Sequence, residues 1–122
     1  MRVLLVDDNV DLLSSLALVL ESAGYEVEPA SSVAQALDAH QKRAADLLIT
    51  DIFMPDTDGL EAIAAFRAVS PGLRIIAMSG GGQVAKGNYL DTAEVVGADA
   101  VLRKPFDPAR LLGLVATLRA GR

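Results

Sequence analysis

Five short runs rich in aliphatic residues punctuate this chain: Val3–Val6, Glu26–Ala30, Leu47–Thr50, Arg74–Met78 and Ala100–Leu102. A stretch with helical spacing follows each of them. Runs of this length and composition read as strands buried on both faces. Strands that alternate with helices pair in parallel, and right-handed crossovers leave few topologies open. The fold class is therefore α/β, a doubly wound sandwich around a five-stranded parallel sheet.

The intervening segments carry their own start and stop signals. Leu12, Leu13, Leu16, Val19, Leu20 and Ala23 form one stripe at 100° per residue, with Asp11, Ser14 and Glu21 behind it, and Gly24 ends that helix as a left-handed cap. Ser32 and Gln35 have capping-box spacing before Val33–Lys42, and Asp58 with Glu61 repeats it before Leu60–Ala68. Pro71-Gly72 closes that unit. A fourth helix is predicted over Tyr89–Val96, stopping at Gly97, and Asp107-Pro108 opens a fifth over Ala109–Leu118. No linker or repeat divides the chain, so residues 1–122 are expected to form a single domain, with glycine-rich Ser79–Asn88 as a mobile loop. His40 reads as a helix-surface residue, and Leu18 points away from the apolar stripe.

Composition removes several function classes. A chain that is 52% hydrophobic and 22% charged can form a core, which argues against disorder. Zero cysteines exclude disulfides, thiol nucleophiles and thiolate metal sites, and suit a reducing compartment. Eleven basic against sixteen acidic side chains give a net charge of −5, with the cations scattered, so direct nucleic-acid binding is not expected. The apolar run before Asp7 is too short for a signal peptide or membrane span. The expected setting is soluble and cytoplasmic.

In a parallel α/β sheet the functional edge lies beyond the carboxyl ends of the strands. There the first strand delivers Asp7 and Asp8, the third Asp51, the fourth Ser79 and the fifth Arg103-Lys104-Pro105. Carboxylates about 5 Å apart repel by roughly 3 kcal/mol per pair at an effective dielectric near 20, so three of them call for a cation. Oxygen-only ligands without His or Cys select a hard ion, and few carboxylates with room for water suit Mg²⁺ better than a Ca²⁺ cage. The plainer alternative, that Asp7 and Asp8 are solvated turn residues, does not account for the convergence of three acids. Asp51, at a strand end beside a metal and a lysine, is placed as a nucleophile toward phosphorus. Lys104 would neutralise phosphoryl oxygens, and Ser79 would donate a hydrogen bond to one of them.

The ordered set Val3-Leu-Leu-Val-Asp7-Asp8-Asn9, Asp51-Ile-Phe-Met-Pro55-Asp-Thr-Asp-Gly59, Met78-Ser79-Gly80 and Lys104-Pro105-Phe106 resembles the receiver domain of two-component response regulators over essentially the whole chain. The resemblance implies a flavodoxin-like (βα)5 fold with strand order 2-1-3-4-5. It implies Asp51 as phosphoacceptor and Mg²⁺ held by Asp8, Asp51 and the Phe53 carbonyl, with Asp7 helping directly or through water. Ser79 becomes the switch hydroxyl and Lys104 the phosphate-pairing cation, with a cis peptide before Pro105. The donor would be a phosphohistidine on a histidine kinase or a histidine phosphotransfer protein. Output would pass through the surface of the fourth helix, fifth strand and fifth helix around Tyr89, Val101 and Arg103. That surface would serve a downstream protein, a dimer or an output domain outside this chain. Such a domain is a signalling phosphoacceptor rather than an enzyme, apart from self-phosphorylation and self-dephosphorylation.

Three features depart from the family pattern, one of them a glycine-rich Gly80–Asn88 segment a few residues longer than usual. Val101 stands where receivers carry a switching aromatic, and Phe53 and Gly81 offer no group to orient a hydrolytic water, which implies a long-lived phosphoryl group. Two other readings compete. A small phosphatase with an aspartyl nucleophile would place a second acid where Asn9 stands, and a phosphate-independent scaffold would not need Asp7, Asp8, Asp51, Ser79 and Lys104 together. The glycines after Ser79 fit neither P-loop nor dinucleotide spacing.

Overall fold

Aliphatic residues on both sides of a strand need cover on both sides, and the chain supplies it with helices. A computed structural model describes the backbone of residues 1–54, 57–79, 97–104 and 106–120, and their side chains except at 53, 54, 57–60 and 120. In chain order the elements are β1 (Arg2–Val6), α1 (Val10–Ser22), β2 (Glu26–Ala30), α2 (Val33–Lys42), β3 (Leu47–Asp51), β4 (Phe53–Met54), β5 (Thr57–Asp58), α3 (Gly59–Val69), β6 (Arg74–Ser79), β7 (Ala100–Arg103) and α4 (Pro108–Ala120). The main sheet runs β2-β1-β3-β6-β7 with every pair parallel. Counting its long strands alone, this is the expected order 2-1-3-4-5.

The antiparallel pair β4–β5, with Phe53 opposite Asp58 and Met54 opposite Thr57, was not expected. Two-residue strands are too short to show an alternation that sequence reading can detect. The predicted loop after Ser79, the helix over Tyr89–Val96 and the peptide before Pro105 lie outside the described residues. No described helix is long and apolar enough to cross a membrane.

Period-two alternation sorts the strand residues into two cores. Leu4, Val6, Leu48, Ile75 and Ala77 face α2 and α3, where they meet Val33, Ala36, Ile63 and Phe66. Val3, Leu5, Leu47, Ile49, Ile76, Met78 and Leu102 face α1 and α4, against Leu13, Leu16, Leu20, Leu111 and Val115. Val101 is half-buried against the α2–α3 core, and Leu18 is exposed as expected.

His40 is not a surface residue: it is 7% exposed. It continues the inward row Val33–Ala36 of α2, and its ring edge meets Phe66 of α3 at a centroid distance of 5.8 Å. The helical period was legible, but a polar residue on the inward stripe was assigned to solvent by its type.

Gly24 ends α1 at φ +97°, as its position predicts, and open space surrounds the Cβ it lacks. Gly97 differs. At φ +125° an added Cβ would also lie 3.2 Å from Arg67 Nε. Arg67 cannot readily retreat, because its guanidinium is bonded to the carbonyls of Pro71, Leu73 and Gly97 and to the Asp99 carboxylate. Gly97→Ala is therefore expected to lower unfolding free energy by about 1–3 kcal/mol, more than Gly24→Ala, as read by urea denaturation.

Candidate functional site

The sheet's own alternation builds the site. Asp7 continues the Val3–Leu5 row, Asp51 ends the Leu47–Ile49 row and Lys104 continues from Leu102, so the adjacent strands β1 and β3, and β7 one strand beyond across β6, deliver these side chains on the face shared with α1 and α4. Val6 pairs with Thr50, which brings the next residues, Asp7 and Asp51, alongside each other. Ser79 continues the Ile75–Ala77 row instead and leaves the sheet toward the α2–α3 face.

Asp7, Asp8 and Asp51 each offer an oxygen within 4.8 Å of the others. Asp7 and Asp51 are buried and Asp8 is exposed, so the cluster opens to solvent on one side. Lys104 Nζ donates to Asp7 Oδ2 at 2.7 Å and to Asp51 Oδ2 at 3.2 Å. The other oxygen of Asp7 accepts the Asn9 backbone N–H at 3.0 Å, and Asn9 Oδ1 in turn caps α1 by accepting from Leu12 N. Lys104 is placed by its own backbone, whose N–H reaches Ser79 O at 2.7 Å. Burial by itself would lower the Lys104 pKa, but the hydrogen bond to Asp7 and the charges of Asp51 and Asp7 outweigh it and raise the pKa above the ordinary value. The ammonium therefore stays charged throughout the neutral range.

Three carboxylates and one ammonium leave a local charge of −3 + 1 = −2. An oxygen-only donor set with two uncompensated negative charges and an open side fits a hard divalent cation. The structure thus brings together Asp7, Asp8, Asp51 and Lys104. Ser79 is buried at the end of β6, beside β3, where Asp51 pairs with Met78. The Phe53 backbone begins β4 two residues past Asp51, while Gly81 lies outside the described residues. Sequence reading missed the role of Asn9, which braces Asp7 while capping α1. An Asx residue directly before an apolar stripe was the available signal. It also assigned Lys104 only to an incoming phosphate, whereas here it already spans two acids.

Comparison with known proteins supplies relatives for this geometry. The family model of the response regulator receiver domain matches residues 3–116. The chain is 33% identical over 112 residues to the chemotaxis protein CheY of Thermotoga maritima, covering 91% of each. It is 36% identical over 119 residues to the transcriptional regulatory protein PrrA of Mycobacterium tuberculosis, and spans 49% of that protein's length. Among solved structures, a CheY-like response regulator receiver domain protein from Methanospirillum hungatei superposes with a TM-score of 0.86 at 30% identity, over 95% of this chain and 90% of that one.

Proposed function

The chain belongs to the response regulator receiver domain family, and on that premise we propose that it is a phosphoacceptor whose acceptor atom is a carboxylate oxygen of Asp51. The observation that carries this reading is the Asp7, Asp8 and Asp51 cluster with Lys104 bonded to two of its members. Asp51 sits at a strand end, held in place by the sheet, so little reorganisation is needed before attack.

In the proposed reaction an Asp51 oxygen attacks the phosphorus of a phosphohistidine on a histidine kinase or phosphotransfer protein. The new P–O bond makes an aspartyl phosphate, and the P–N bond breaks with its electrons returning to the donor imidazole. Lys104, anchored by Asp7 at 2.7 Å, keeps a positive charge beside the equatorial oxygens as they pass Asp51. Asp8, Asp51 and the Phe53 carbonyl would hold Mg²⁺, with Asp7 directly or through water. That ion supplies charge neutralisation at the phosphoryl oxygens.

Before phosphorylation Lys104 is shared between Asp7 and Asp51. Afterwards the acceptor carries about −2 and three acceptor oxygens. Lys104 already lies on the Asp51 face, whereas the Ser79 hydroxyl, which starts toward the α2–α3 face, would meet them only by moving, and that movement would be the switch. Moving a switch from 1:99 to 99:1 takes about 5.5 kcal/mol, within reach of two charge-assisted hydrogen bonds in a partly dry site. Because the Lys104 N–H is bonded to Ser79 O, a shift at either residue is felt by the other. We assign output to the segment after Ser79 and to the β7–α4 surface. It would act on a downstream protein, through dimerisation, or on an output domain such as the unmatched half of the longer relatives suggests.

The test is uptake from acetyl phosphate with and without Mg²⁺, followed by peptide mapping. The expected result is a hydroxylamine-labile phosphoryl group on Asp51 that forms only with the ion present. No Mg²⁺-dependent modification would leave a phosphate-independent scaffold as the better reading.

A further inference from the structure

At the opposite end of the sheet from the carboxylates, the last turn of α2 is tied to its neighbours through one imidazole. His40 Nδ1 accepts the backbone N–H of Ala45 at 3.0 Å, just before β3 begins. Nε2 lies 2.7 Å from Ser70 Oγ, immediately after α3. An amide N–H can only donate, so Nδ1 carries no proton. The ring proton therefore sits on Nε2 and is donated to the serine hydroxyl. This tautomer rules out reading the pair as a nucleophilic serine with its base, because the nitrogen facing Ser70 cannot take a proton. Two openings of about 430 and 300 Å³ both count His40, Ala44 and Ser70 in their linings, so the joint lies beside solvent-sized space.

We propose that His40 is an acid-sensitive latch: the neutral ring holds the ends of α2 and α3 to the start of β3, and a proton on Nδ1 breaks the bond to Ala45 and loosens that end of the domain. Protonation would set N–H against N–H at Ala45, a buried residue, and leave its amide without the acceptor it now has. The charged groups around the ring do not offset this. Arg2 of β1 adds positive potential, and its guanidinium is bonded to Glu26, Glu28 and the Arg43 carbonyl. Asp46 lines one of the openings, but its carboxylate accepts from Arg2 N. On α2 itself Lys42 pairs with Asp38, Arg43 beyond it pairs with Glu26, and on α3 Arg67 is committed to the carbonyls near Gly97 and to Asp99.

Burial first, and the charge of Arg2 second, lower the His40 pKa below its ordinary value of 6.5. The unfolded chain then binds the proton more readily than the folded one. Stability is accordingly unaffected well above pH 6.5 and falls as the pH drops below 6.5 toward the folded-state value.

His40 is the chain's single histidine, so its ring signals are unambiguous. In ¹⁵N-labelled protein, NMR is expected to show the Nε2–H tautomer at pH 7.5, a ring titration midpoint below 6.5, and loss of hydrogen-exchange protection at the Ala45 amide as the ring charges. The Nδ1–H tautomer at pH 7.5, a midpoint at or above 6.5, or an Ala45 amide equally protected with the ring charged would overturn the proposal. These readings use the unaltered chain and so do not depend on any variant folding. As a second measurement, His40→Gln should flatten the decline of the thermal midpoint just below pH 6.5, and a decline as steep as the parent's would equally refute the latch.

Discussion

Asp51→Asn is expected to abolish phosphoryl uptake from acetyl phosphate to background while leaving the fold intact and, in chelator, no less stable than the parent. The first half follows from chemistry, because an amide oxygen is a poor nucleophile and cannot yield an aspartyl phosphate. The second follows from the crowding of Asp7, Asp8 and Asp51 within 4.8 Å. Charges at about 5 Å and an effective dielectric near 20 repel by roughly 3 kcal/mol per pair, so removing one member relieves two such repulsions. Against that stands the loss of the 3.2 Å contact with Lys104, which keeps its shorter 2.7 Å bond to Asp7. Thermal unfolding with and without Mg²⁺ reads the balance. The parent should gain stability from the ion in proportion to its occupancy, and the variant much less. A variant that still takes up label would move the acceptor elsewhere, and one strongly destabilised in chelator would show that Asp51 is held mainly for structure.

Lys104→Met should have the opposite signature. Its side chain is 17% exposed while those of Asp7 and Asp51 are 1% and 7% exposed, so the substitution strands two buried carboxylates. Breaking a buried pair by removing one partner costs about 3–5 kcal/mol, and the opening at Asp8 favours the lower end. In chelator the thermal midpoint should drop by about 10 °C or more. Mg²⁺ should recover most of that loss, since a divalent ion replaces the missing positive charge. Phosphoryl uptake in saturating Mg²⁺ should still fall by about 10²-fold, the scale for deleting one charge-stabilising group at a reacting centre. An unchanged midpoint in chelator would mean that Lys104 does not neutralise the acids. An unchanged uptake rate would remove it from the reaction.

Both variants act on groups that were readable in sequence, because each stands within two residues of the end of an apolar run. Asp7 after Val6, Asp51 after Thr50, Ser79 after Met78 and Lys104 after Arg103 mark the carboxyl ends of strands β1, β3, β6 and β7. Element types were equally legible, because a buried strand and an amphipathic helix have different periods. The ends were less so: β3 and β6 each run one residue further than expected, so that Asp51 and Ser79 are strand residues rather than the first residues of a loop. The β4–β5 hairpin and the burial of His40 escaped for different reasons. The first is too short to have a period, and the second is a polar residue standing at an apolar position, where residue type and spacing point in opposite directions.

By itself, the order of residues determined the alternation of five strands with helices, the chemical kinds gathered at one sheet edge and the net charge those kinds leave for a cation. Local patterns suffice for this, since period, capping and strand ends are properties of neighbours along the chain. Only the tertiary structure decided which side chains meet. Lys104 reaches Asp7 across 97 residues and Asp51 across 53, and does so because β7, β6, β3 and β1 stand side by side in register and alternate in phase. The same phase directs Ser79 to the other face, and packing of α2 against α3 takes His40 from the surface to a buried joint. Register and helix docking depend on contacts distant in sequence, and those exist only once the sheet has formed.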